Sequence, residues 1–120
     1  MGKGVGEGID LRVALDADTR IGPGKADLLQ AVRETGSISA AGRRLGMSYK
    51  RAWYLIDTLN SAFREPLVLK AKGGRSRGGA HLSACGDAVL DGYRRMQVAA
   101  AAATATEMAD LIAMLATRRD

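Results

Sequence analysis

The stretch SISAAGRRLGMSYKRAWYLIDTLNSAF, Ser37 to Phe63, decides the fold. Ser37 or Ser39 is placed to cap a short helix, because a hydroxyl oxygen accepts from the free N–H groups of a first turn. Ala40, Ala41 and Leu45 form the inward side of that helix. Gly46 ends it, since a left-handed helix terminus costs least for a residue without a Cβ. Met47 makes the turn, and Ser48 caps the next helix. There Ala52, Leu55, Ile56, Leu59 and Phe63 recur at spacings of three and four, the period of one buried face. Two helices joined by a tight glycine-containing turn make a helix-turn-helix.

The flanks extend this unit. After Pro66, Leu67-Val68-Leu69 reads as a short strand, Lys70 to Ala80 is rich in glycine and basic residues, and His81-Leu82 returns as a second strand. A hairpin directly after the second helix is the wing of a winged helix. Gly73, Gly74, Gly78 and Gly79 let its tip bend, and Arg75 and Arg77 project from it. Ser83 caps a last helix expected to run to about Thr117, with Gly86 and Gly92 as weak points. Val98, Ala101, Ala105, Met108, Ile112 and Leu115 fall on it at alternating spacings of three and four. That is a heptad stripe on a helix of roughly 50 Å, which one small domain cannot bury alone. Dimerisation covers it; the other reading is a fold back onto its own domain. Upstream, residues 1–8 read as a flexible arm and Ile9 to Leu15 alternates as a half-buried strand. Asp16 to Gly24 reads as a turn and about Lys25 to Glu34 as a first helix, with Leu28, Leu29 and Val32 inward and Thr35-Gly36 at its end. The expected architecture is mainly α: a winged helix-turn-helix over 9–82 with a β-hairpin wing, and a long C-terminal dimerisation helix over 83–120.

A length of 120 residues fits one domain with a modest core, and 47% apolar residues exclude a disordered chain. One Cys and one His exclude a disulfide framework and a multi-cysteine metal site, so neither a metal nor a cofactor is expected. The chain does not read as an enzyme. Between Arg43 and Arg77 stand nine basic and two acidic residues, a net +7, against nine basic and eleven acidic elsewhere, a net −2. Such a block is the footprint of a polyanion partner or a solvated face, and charge alone leaves both open. The longest weakly apolar stretch, Val98 to Met114, is interrupted by Glu107 and Asp110, so no membrane association is expected. MGKGVGEG lacks a signal-peptide core and has Gly6 where a myristoylation signal wants Ser or Thr. A cytoplasmic location is the default.

GSISAAGRRLGMS at 36–48 resembles the helix-turn-helix of LysR-type and molybdate-responsive regulators. SYKRAW at 48–53, Asn60, Leu67-Val68, KGG at 72–74, GGAHLS at 78–83 and Gly86 resemble the DNA-binding domain of the molybdate-dependent regulator (ModE) family in particular. LysR-type proteins usually lack the SYK-x-AW run. The likeness covers about residues 20 to 100. It implies a bacterial, cytoplasmic, sequence-specific transcription regulator that binds double-stranded DNA as a homodimer. Family members carry C-terminal β-barrel modules that bind molybdate or tungstate. The chain ends after the long helix, so the expectation is that no molybdate site lies within it.

Within this reading, Ser48, Tyr49, Lys50, Arg51 and Tyr54 occupy the exposed N-terminal half of the recognition helix, the half that reaches base edges. Lys50 or Arg51 would donate to guanine O6 and N7, and Ser48 and Tyr49 would position a phosphate. The plainer alternative has Tyr49 packing locally and the two cations only screening phosphates. Trp53, one residue off the apolar face, reads as packing rather than as a stacking platform. Arg75 and Arg77 would touch phosphate or enter a narrow minor groove. The glycine-rich tip lacks the Gly-Lys-Ser/Thr ending of a P-loop. Asp87 and Asp91 read as a solvated face, His81 as a surface residue, and Cys85 as a small buried side chain rather than a redox site. The rival functions are a nucleoid-type DNA binder of low specificity and a dimerising modulator of a full-length regulator.

Overall fold

The computed structural model describes residues 8–70 and 79–116. Strand β1 spans Val13–Ala14 and pairs antiparallel with β2, Arg20–Ile21, with Val13 opposite Ile21. The alternation expected over Ile9 to Leu15 survives as burial: Ile9, Leu11 and Val13 are half-buried, and Asp10, Arg12 and Ala14 are exposed. Leu15, however, is bare, and only two of the seven residues lie in the strand. The partner sets the limit, because the Asp16 carboxylate accepts from the N–H groups of Asp18 and Thr19 and folds the chain back at once. Those two bonds also hold the Asp16 carboxyl below its ordinary pKa. The segment expected to be all turn therefore contains β2.

Helix α1, Pro23–Thr35, begins two residues earlier than expected, because Pro23 fits the first helical turn, where its missing N–H has no partner to lose. Helix α2 is Ile38–Arg44 and α3 is Tyr49–Ala62. Strands β3, Val68–Lys70, and β4, Ala80–Leu82, pair antiparallel with Val68 opposite Leu82 and Lys70 opposite Ala80. The Ala80 N–H donates to the Gly36 carbonyl, tying the returning strand to the segment before α2. Leu28, Leu29 and Val32 of α1, Ile38 and Ala41 of α2, Ala52, Ile56 and Leu59 of α3, Leu67, and Leu90 and Tyr93 of the next helix share one core. Each large member adds about 1.5–3 kcal/mol by leaving water. This is the winged helix-turn-helix.

The C-terminal part departs from the single expected helix. Helix α4 runs Ala84–Ala103 and α5 runs Ala105–Ala113, with Thr104 between them at φ −111° and ψ 10°. The Thr104 hydroxyl donates to the Ala100 carbonyl at 2.7 Å, sharing that acceptor with the Thr104 N–H at 3.1 Å, a back-bond that weakens a helix at this point. The helical segment also ends at Ala113 rather than near Thr117. Among the described residues no helix is long and apolar enough to cross a membrane.

Packing on α4 is close at its start. Ser83 caps α4 by accepting from the Gly86 N–H, while its hydroxyl donates to the Pro66 carbonyl and its N–H to the Leu67 carbonyl. Farther along, Tyr93 is buried and its hydroxyl donates to the Leu11 carbonyl at 2.6 Å. Burial pushes that hydroxyl's pKa above its ordinary value.

Candidate nucleic-acid interface

Local chemistry builds α2, the turn and α3. The Ser37 hydroxyl accepts from the Ala40 N–H, and the Ser48 hydroxyl accepts from the Arg51 N–H, both at 3.0 Å. Gly46 sits at φ 71°, left-handed, and the Met47 N–H donates to the Gly42 carbonyl to close the turn. With Ala52, Leu55, Ile56 and Leu59 buried, the opposite side of α3 is fixed outward. On it Ser48, Lys50 and Arg51 are exposed, with Tyr49 at 59% and Tyr54 at 61%. The structure brings these five predicted residues to one end of one element.

Their charges are unpaired. Arg33 bonds Asp87 and Asp91 at 2.9 and 3.1 Å, Arg44 pairs with Glu34, and Arg94 bonds Asp27 at 3.0 Å. Neither Lys50 nor Arg51 has an ion-pair partner among the described residues. The first turn of α3 also contains no acid, so its two cations stand against the positive end of the helix dipole.

The Arg33 pair corrects one expectation. Asp87 and Asp91 are not merely solvated: they clamp α4 to α1 and hold the Arg33 guanidinium above its ordinary pKa. Glu34 is held below the usual carboxylate range by the Gln30 amide and then by Arg44. His81 is exposed and Cys85 half-buried. Arg75 and Arg77 lie outside the described residues. The expected dimer stripe is divided: Val98 and Ala101 are on α4, Ala105, Met108 and Ile112 on α5, and Leu115 beyond it. Met108 is half-buried and the other five are exposed.

Sequence reasoning missed two features of the wing root. Asn60 accepts from the Leu67 and Val68 N–H groups and donates to the Val68 carbonyl, which pins β3 to α3. Lys70, counted only as one basic residue among many, lies with its Nζ 4.9 Å above the Trp53 ring. Trp53 also meets Tyr49 edge-on at 6.3 Å. Its place beside the main apolar face was the available signal for such a role.

Comparison with known proteins agrees with this geometry. Residues 25–87 match the family model described as bacterial regulatory helix-turn-helix protein, lysR family. The chain belongs to that family. It is 42% identical over 74 residues to the molybdenum-pterin-binding protein MopA of Rhodobacter capsulatus, covering 62% of this chain and 28% of that protein. It is 41% identical over 71 residues to the transcriptional regulator ModE of Yersinia pestis, covering 59% of this chain and 27% of that one. The chain thus spans less than a third of the length of these curated relatives. Among solved structures, a CbnR_DBD–DNA complex superposes with a TM-score of 0.56 at 26% identity, over 72% of this chain and 94% of that one. The lysR-family match covers α1 to the start of α4, and the ModE and MopA likenesses bear out the family resemblance carried by SYKRAW and its flanks.

Proposed function

We propose that the chain is a cytoplasmic, sequence-specific, double-stranded-DNA-binding transcription regulator that acts as a homodimer and is not an enzyme. The observation that carries this reading is the outward side of α3, where Lys50 and Arg51 are exposed and have no ion-pair partner among the described residues. Lys50 and Arg51 would read base edges in a major groove, with Ser48, Tyr49 and Tyr54 positioning the helix against phosphate and sugar. Arg75 and Arg77 would hold the backbone beside it. The likeness to a regulator by name and to a domain solved on DNA supports the same reading. A low-specificity nucleoid-type binder and a modulator of a full-length regulator are less well supported by those likenesses.

Dimerisation is supported by α5. It has nine residues and buries none, and Leu111, Met114 and Leu115 nearby are each more than 60% exposed. A helix that short is marginal in water by itself, so a covering partner would stabilise it. The proposed interface is Val98, Ala101, Ala105, Met108, Ile112 and Leu115. The reading assigns the chain no cofactor and no molybdate site. Selection of bound sequences from random duplexes tests it: a palindromic consensus is expected, and no enrichment over the input pool would overturn specific binding. Affinity should also fall with salt at a log–log slope on the order of −4 to −8 per dimer.

A further inference from the structure

Trp53 packs against the core on one side but is not enclosed by it. Although it lies on the second turn of α3, it is only half-buried, and open clefts flank it. One, of about 220 Å³, lies towards Asn60, Pro66, Val68 and Leu69; the other, of about 110 Å³, lies towards Ser39, Tyr49 and Gly79. Ile38, Trp53 and Lys70 line both.

What the indole does hold is a cation. The Lys70 ammonium sits 4.9 Å from its ring centroid, within the range of a cation–π contact, and Tyr49 braces the ring at an interplanar angle of 78°. An ammonium has three N–H donors, and a ring on one side leaves the others facing water. Lys70 is exposed. It is the last residue of β3, opposite Ala80, whose N–H donates to the Gly36 carbonyl just before the α2 cap. It therefore stands where the start of α2, the first turn of α3 and the root of the wing meet. Among the described residues no acidic side chain lines either cleft.

Resting on the DNA-binding reading, we propose that Lys70 is a DNA-phosphate contact and that Trp53 is its positioning residue. A free lysine loses rotamer entropy when it is fixed. Held over the indole it is largely ordered before DNA arrives, which removes much of that loss from the binding step. The contact also ties the wing to the recognition helix at a second point, Asn60 being the first, so both elements reach the duplex as one body.

The test uses the full 120-residue chain and a mixed random-sequence duplex, because a phosphate contact is indifferent to sequence. Trp53 is the chain's single tryptophan, so its fluorescence reports the pairing directly. In free protein, Lys70→Gln should change that emission, and an unchanged spectrum would overturn the pairing. On DNA, Lys70→Gln should flatten the log–log salt slope by about one unit per bound protomer. Trp53→Leu should weaken binding and flatten the slope in the same way, Trp53→Phe should keep part of it, and Trp53→Leu combined with Lys70→Gln should lose no more than Lys70→Gln alone. Independent, multiplicative losses would overturn the positioning role. A steep wild-type slope left unchanged by Lys70→Gln refutes the phosphate contact alone. A flat wild-type slope refutes the DNA-binding reading itself and the contact with it.

Discussion

Gly86→Ala should destabilise the fold, although alanine is the better helix former. A Cβ built on Gly86 would lie 2.2 Å from the Leu67 carbonyl oxygen, and real Cβ atoms essentially never come within 3.0 Å of such an atom, so the two must separate by at least 0.8 Å. Neither side can yield freely. The Leu67 carbonyl accepts from the Ser83 N–H at 2.9 Å, the Leu67 N–H is held by Asn60, and the Leu67 side chain is fully buried. Overpacking of this kind costs about 1–3 kcal/mol, and a strained or broken Ser83 bond adds about 1. The gain from replacing glycine in a helix offsets about 1, leaving a net loss of about 1–3 kcal/mol.

Gly92 supplies the control on the same helix. A Cβ there meets nothing within 4 Å, so Gly92→Ala should stabilise by about 0.5–1 kcal/mol. Urea unfolding followed by circular dichroism would show the midpoint falling for Gly86→Ala and rising for Gly92→Ala, with the slope unchanged in both. Because Leu67 immediately precedes the strand that carries Lys70, Gly86→Ala should also weaken DNA binding under conditions where it remains folded. A Gly86→Ala midpoint equal to that of Gly92→Ala would refute the close approach of α4 to the wing root.

Arg51→Ala or Lys50→Ala should relax preference at one or two base pairs and cost roughly 1–3 kcal/mol on the selected site; equal losses on selected and random duplexes, measured by competition binding, would refute base readout. Tyr93→Phe removes a buried hydrogen bond and should cost about 1 kcal/mol at neutral pH. Since the folded state raises the Tyr93 pKa above its ordinary value near 10, the wild type carries this stabilisation below that value and loses it as pH rises through the folded one. Unfolding curves across alkaline pH should show Tyr93→Phe converging on wild type. Ile112→Asp places a charge in the proposed seam and should shift sedimentation towards monomer while the winged domain stays folded; an unchanged dimer places the interface elsewhere.

The helix-turn-helix was legible in the sequence because its signals are local. Ser37, Gly46 and Ser48 each act within three or four residues, and the inward side of α3 is a period that no distant partner can change. The errors lie where a partner or a competing bond decides. Strand β1 is short because β2 is short, a fact about Arg20–Ile21 that Ile9 to Leu15 does not contain. The helix break falls where one hydroxyl at Thr104 bonds back to Ala100, after an alanine run that by propensity alone would continue. Arg33 meets Asp87 and Asp91 across 54 and 58 residues of chain, and Lys70 meets Trp53 only through the return of β3. Such contacts have no signature in spacing.

Charge placement relative to the helix ends separates structural need from the rest. Arg33 lies in the last turn of α1, Arg43 and Arg44 in the last turn of α2, Asp87 in the first turn of α4 and Glu107 in the first turn of α5. Each of these charges complements its helix dipole, a stabilisation of typically 0.3–1 kcal/mol. Two first turns, each at the positive end of its helix, break the rule: Lys25 of α1 stands in a turn without an acid but donates to the Arg20 carbonyl at 3.0 Å, whereas Lys50 and Arg51 of α3 stand in such a turn with no side-chain partner among the described residues. The bond to Arg20 gives Lys25 a structural reason for its place, and no such bond does so for Lys50 and Arg51. A polyanion lying against that end supplies one, because it pairs with the two side chains and with the dipole together. Local rules that a chain keeps elsewhere are broken where function requires it. That is why α3, rather than the more densely basic wing, carries the assignment of base readout.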